Sequence, residues 1–172
     1  LMYTDVAAAV GASLFASLAE IPHLKRVRFH TRFPIGIPER IDPPFLSLLQ
    51  NLPKEKVIIL HINHPRELDR DVKRALHSLL TLGIPLLNQA VLLRGVNDDE
   101  ETLLSLSEEL LSAGVIPYYL HLLDRVKGTA HFAVSEERGR ELIAFLRENG
   151  SGFGVPRLVK EEAGKGSKTF LA

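Results

Sequence analysis

Short, dense apolar runs recur along this chain, each followed by a stretch in which apolar residues return every three or four positions. The runs are residues 27–32 (VRFHTR), 57–62 (VIILHI), 84–91 (IPLLNQAV), 116–122 (IPYYLHL) and 154–160 (GVPRLVK). Their β-branched and aromatic content predicts strands, and their nearly continuous apolar character predicts strands buried on both faces. Between them, capping and stop residues mark helices. Thr4 opens a helix to Glu20 with Pro22 beyond it, and Asp42 opens one at Pro43 that runs to about Leu52. A helix over 69–82 stops at Gly83, one through Leu110 stops at Gly114, and Ser135 caps one that reaches Asn149 before Gly150. Asn97, Asp98 and Asp99 all offer cap side chains for the fourth of these helices. The tail EEAGKGSKTFLA is rich in glycine and reads as loop.

The strand starts near 27, 57, 86, 116 and 155 repeat with a period of roughly 30 residues, the length of one βα unit. Such alternation predicts an α/β fold with a parallel sheet and right-handed crossovers. Five strands are too few to close an eight-stranded barrel, so the expected object is an open, curved, TIM-like part-barrel. An open edge is a liability. Together with a start on a helix and on Leu1 rather than Met, it leads us to expect that further strands precede this sequence. The 172 residues read as a single domain.

Composition narrows the field. Twenty-one basic and twenty-one acidic residues cancel, which argues against a polyanionic partner such as nucleic acid. No apolar run approaches the roughly 20 residues of a membrane span. The chain has no cysteine, which excludes disulfides, zinc thiolates and an iron–sulfur cluster bound by this chain alone. The first residues lack the basic region of a secretory signal, so a cytoplasmic location is expected.

If the strands run one way, the residues closing them share one face. These are His30 and Arg32, then His61, Asn63 and His64, then Asn88, Gln89 and Arg94, then His121 and Asp124, then Glu161. Mixed cations, carboxylates and amides suit a zwitterionic ligand. Plainer explanations stand beside this one. Asn88 and Gln89 satisfy backbone groups in many sheets, Arg94 reads equally as a surface residue, and Asp124 and Glu161 have basic sequence neighbours. His61 and His64 could be metal ligands of a barrel hydrolase, but no third ligand has matching spacing. Lys168 lies in AGKGSKTF, which lacks the spacing of a phosphate loop. A lysine there becomes a nucleophile only with burial or a cationic neighbour, and Lys165 is near in sequence.

Several motifs together resemble the lysine 2,3-aminomutase family, nearest to the bacterial branch that makes β-lysine for elongation factor P. They are HTRFPIGIPERI (30–41), HINHP (61–65), LLNQAVLLRGVND (86–98), PYYLHLLDRVKGTAHF (117–132), SGFGVP (151–156) and GSKT (166–169). The resemblance implies a radical S-adenosylmethionine isomerase with pyridoxal phosphate and a [4Fe-4S] cluster, acting on L-lysine. By motif, Lys168 matches the lysine that anchors pyridoxal phosphate. Asp124 and Glu161 match the acidic pair that grips the substrate ε-ammonium, and His61 and Gln89 match residues that touch S-adenosylmethionine. On this basis residues 4–160 are expected to be the C-terminal part of a radical enzyme's barrel, and 161–172 a tail carrying the pyridoxal lysine.

There are departures. The family's cluster-binding cysteines have no counterpart here, so the chain alone is expected to be inactive. Glu161 stands where free-lysine mutases have Asp, His121 where they have Tyr, and Phe170 where a proline is usual. The competing expectation is a non-catalytic module that binds pyridoxal phosphate or lysine, or a truncated remnant. Dimerisation would be one way to cover an open edge.

Overall fold

A computed structural model describes residues 13–124, 126–162 and 164–172. Residues 13–19 are helical, as expected for the end of the first helix; its predicted start at Thr4 lies outside the described residues. Six strands follow in one sheet: β1 (Arg26–Thr31), β2 (Glu55–Leu60), β3 (Leu86–Leu92), β4 (Val115–Leu122), β5 (Arg157–Lys160) and β6 (Thr169–Phe170). They lie in sequence order, and β1 to β5 pair in parallel. The main helices are α1 (Pro43–Asn51), α2 (Arg70–Leu80), α3 (Glu100–Ser112) and α4 (Glu136–Asn149). Each step along the sheet goes the same way, so right-handed crossovers bring the helices to one face.

The caps explain the helix starts. Asp42 accepts from Phe45 N, Asp69 from Asp71 N and Val72 N, Asp99 from Thr102 N, and Ser135 from Arg138 N. Each such bond contributes about 0.5–2 kcal/mol. Of the three candidates before α3, Asp99 is the cap; Asp98 accepts from Gly95 N, and Asn97 is taken up elsewhere. Gly83 and Gly114 end α2 and α3 with φ of +70° and +73°, where other residues are strained.

Burial alternates along β3. Leu86, Asn88, Ala90 and Leu92 are buried toward the helices, while Leu87, Gln89 and Val91 are half-buried on the opposite face. The helix side holds the core, with Leu60, Ile62, Leu76, Leu79, Leu92 and Leu120 fully buried. Burying each contributes roughly 1.5–3 kcal/mol. Asn88 does not disrupt this layer, because its amide donates to Ile62 O and accepts from Ile62 N, both at 2.9 Å. It extends the β2–β3 ladder past the end of β2.

Two features depart from expectation. The tail is not all loop: β6 pairs antiparallel with β5, Val159 opposite Phe170 and Lys160 opposite Thr169, and Leu171 N donates to Leu158 O at 2.9 Å. Two residues are too short a run to stand out against so many glycines. The other is a register shift between Asn88 and Gln89, where Asn88 faces Pro117 but Gln89 faces Tyr119. Tyr118 is the extra residue of a bulge, next to a proline that has no N–H for a ladder. The bulge reverses the phase of β4. Val115 and Pro117 are buried before it, whereas Leu120 joins the core after it, and Tyr119 and His121 turn to the face of Gln89.

Candidate functional site

Alternation sends His61, Gln89, His121 and Glu161 to the sheet face opposite the helices, near the C-terminal ends of the strands. There they line a cleft of about 410 Å³ together with Arg32, Asn63 and Asp124. Asp124 and Glu161 also border a second hollow of about 800 Å³ that reaches Glu136, Lys160 and Glu162. A further hollow of about 600 Å³ at the opposite ends of the strands, around Lys54 and Pro85, gathers none of these groups.

The cleft wall is braced from below. Arg32 donates to His61 O at 2.8 Å and pairs with Glu67, whose carboxylate also accepts from Asn63 N and His64 N. Asn63 accepts from Val91 N at 2.9 Å. Asn97, fully buried, accepts from Leu93 N at 2.7 Å and donates to Asn63 O at 2.8 Å and Val91 O at 2.9 Å. The loops after β2 and β3 are thereby tied through side-chain amides.

Inside the cleft, Gln89 Nε2 lies 2.9 Å from His121 Nε2. His61 Nε2 is buried with no partner among the described residues, and its ring stands edge-on to that of His30 at 6.2 Å. Burial, followed by the Arg32 guanidinium, pushes His61 below its ordinary pKa of 6.5. Burial also lowers His121; the Lys168 charge adds to this, while Glu161 and Asp124 oppose it. Lys168 Nζ donates to Glu161 and sits 5.7 Å from the centre of the Tyr119 ring. That ammonium holds the Glu161 carboxyl below the usual range.

Of the residues singled out by sequence, Lys168, Asp124, Glu161, His61 and Gln89 come together, with Arg32, Asn63 and His121 among them. His30 borders the group through His61. Three do not join. Asn88 faces the helices; Arg94 is exposed, with its N–H bonded to Phe132 O; and His64 spends Nδ1 on Arg66 N at 3.1 Å. The use of that nitrogen removes support for a metal site at His61 and His64, and no described cluster of three or more His, Asp or Glu could hold a metal ion. Sequence reasoning missed Tyr119 and Glu67. The alternation of Tyr119 with His121 could have flagged the first; nothing flagged Glu67.

The fold has solved counterparts. A solved radical SAM methyltransferase from Sphaerobacter thermophilus superposes with a TM-score of 0.54 at 18% identity, over 70% of this chain and 38% of that one. A domain of pyruvate-formate lyase-activating enzyme from Bacteroides vulgatus does so at 0.58 and 14%, over 90% and 93%. At such identities the likeness is one of fold, that of an incomplete radical SAM barrel.

Sequence narrows this further. L-lysine 2,3-aminomutase of Haemophilus influenzae is 45% identical over 94% of this chain and 48% of its own length, and that of Escherichia coli 45% over 92% and 46%. A glutamate 2,3-aminomutase of Clostridioides difficile is 39% identical over 92% and 37%. The chain belongs to the lysine 2,3-aminomutase family and spans about half the length of the curated relatives it matches. No protein-family profile matches it.

Proposed function

We propose that this chain is the cofactor-anchoring and substrate-gripping part of an enzyme that moves the α-amino group of L-lysine to the β-carbon. The observation that carries this reading is the convergence of Lys168, Glu161, Asp124, Gln89 and His61, drawn from β3 and from the loops that adjoin four other strands, around one cleft. In this reading Lys168 is the anchor for pyridoxal phosphate, and its amine stands at the cleft edge against the Tyr119 ring. Bound there, the cofactor would supply a carbonyl carbon able to hold the migrating nitrogen.

Asp124 and Glu161, both exposed at the cleft mouth, take the substrate's ε-ammonium, since two carboxylates around one cation favour it. The same pair would repel the side chain of glutamate, which favours lysine over the substrate of the C. difficile relative. His61 and Gln89 meet S-adenosylmethionine. In support, His61 Nε2 and the Gln89 amide oxygen have no hydrogen-bond partner among the described residues.

A [4Fe-4S] cluster does not fit these residues, because the chain contains no cysteine. The isolated chain is accordingly inactive, and radical formation requires cysteines from other polypeptide. Use of the product for elongation factor P is supported only by the resemblance of Glu161 and His121 to that branch of the family.

The absence of cysteine also favours a second reading, a non-catalytic module that binds pyridoxal phosphate or lysine. Incubation with pyridoxal phosphate, borohydride reduction and peptide mapping test the cofactor site. Both readings expect one label, on Lys168; a label spread over surface lysines, or none, overturns them. Formation of β-lysine after cluster reconstitution with cysteine-bearing polypeptide separates the two.

A further inference from the structure

The contact between Gln89 and His121 restricts both side chains. Gln89 Nε2 carries only hydrogens to donate, so the His121 Nε2 that lies 2.9 Å away must be the acceptor. A ring nitrogen that accepts is unprotonated, which puts the single ring proton of His121 on Nδ1. The Gln89 amide is planar, so engaging its NH2 group leaves its oxygen on the opposite side, with no partner among the described residues.

We propose that His121 is a positioning residue for Gln89, fixing the amide so that its oxygen accepts a hydrogen bond from a ligand hydroxyl or amine in the cleft. The identity of that ligand as S-adenosylmethionine rests on the function proposed above. His121 is 8% exposed and is held edge-on by the Tyr119 ring at 5.7 Å, which leaves the imidazole little freedom to turn away. The groups that bias its charge are His61 beyond β2, Asp124 beyond β4, Glu161 beyond β5 and Lys168 before β6. Lys168 and Glu161 are paired with each other, which mutes both.

Protonation reverses the arrangement. A charged His121 donates from Nε2, so the Gln89 oxygen must turn to it and the NH2 group swings into the cleft. A ligand donor then meets another donor. Because burial and the Lys168 charge hold His121 below its ordinary pKa, the reversal comes only on acidification below 6.5.

Nitrogen-15 NMR of the chain tests this directly. The expected spectrum at neutral pH has His121 Nε2 unprotonated and Nδ1 protonated. On acidification the His121 ring and the Gln89 side-chain amide should shift with one shared midpoint. In His121→Phe the Gln89 amide resonance should move at neutral pH, and S-adenosylmethionine binding should weaken by about tenfold, the worth of one hydrogen bond. A proton on Nε2 at neutral pH, or separate midpoints for the two groups, overturns the proposal even if the variant does not fold. If the NMR results hold but S-adenosylmethionine does not bind the wild-type chain, the positioning role stands and the assigned ligand falls.

Discussion

Replacing Asn97 with Ala removes the side chain that joins two loops beneath the cleft. Three hydrogen bonds go: the one accepted from Leu93 N, and those donated to Asn63 O and Val91 O. The site is fully buried, so an alanine leaves three backbone groups without partners and little room for water. At a net value of about 1 kcal/mol per bond the loss is about 3 kcal/mol, and the desolvation of orphaned groups adds to it. Against a total stability of roughly 5–15 kcal/mol this is a large fraction. For a chain of this size it corresponds to a fall in melting temperature of about 6–12 °C.

Urea unfolding followed by circular dichroism measures the loss, and the slope of the transition should stay unchanged. Asp98→Ala is the control, since it removes only the exposed bond from Gly95 N and should cost about 1 kcal/mol or less. A loss below about 1 kcal/mol for Asn97→Ala would show that the amide stitching does not hold the loops.

The histidines set a pH dependence. His30, His61 and His121 all have lowered pKa values, with burial the largest cause in each, so below 6.5 the unfolded chain binds protons that the folded chain resists. Stability is therefore full above 6.5 and declines as pH drops beneath it; urea midpoints that stay flat from about pH 7.5 to 5.5 would contradict this. Glu161→Gln should release Lys168 and raise its initial rate of labelling by pyridoxal phosphate several-fold, as read by borohydride trapping; an unchanged rate would deny that the ion pair restrains the amine. Gly114→Ala forces a side chain into φ of +73° with its Cβ 2.5 Å from Leu80 Cδ1, and thermal melting should show a loss of about 1–2 kcal/mol.

Much of the fold was readable because β-strand runs and helix caps are local signals. The first four parallel strands, at 26, 55, 86 and 115, follow from the 30-residue period, the fifth at 157 is marked by its own apolar run after a longer connection, and Asp42, Asp69 and Ser135 mark helices where they should. The convergence of Lys168 on Glu161 was readable only by likeness to a family, since no local pattern separates that lysine from Lys165. Asn88 and Gln89 show where sequence runs out: adjacent amides in one strand, they point to opposite faces, so one completes a ladder and the other faces the cleft. Asn97 misled as a helix cap because its value lies in long-range bonds to Asn63, which no short window contains. β6 was hidden by its length, and Glu67 by the commonness of a glutamate after a turn.

The extra residue at Tyr118 decides which side chains of β4 reach the cleft. Unbroken alternation from Val115 would carry Leu120 to the cleft and drive His121 into the oil of the core; the bulge prevents this by adding one unpaired step. Losing that one codon would leave Pro117 opposite Asn88 and Tyr119 opposite Gln89 in a regular ladder, so the strand would not turn over. Two relatives that differ in length at this point could therefore present the same side chains to the pocket.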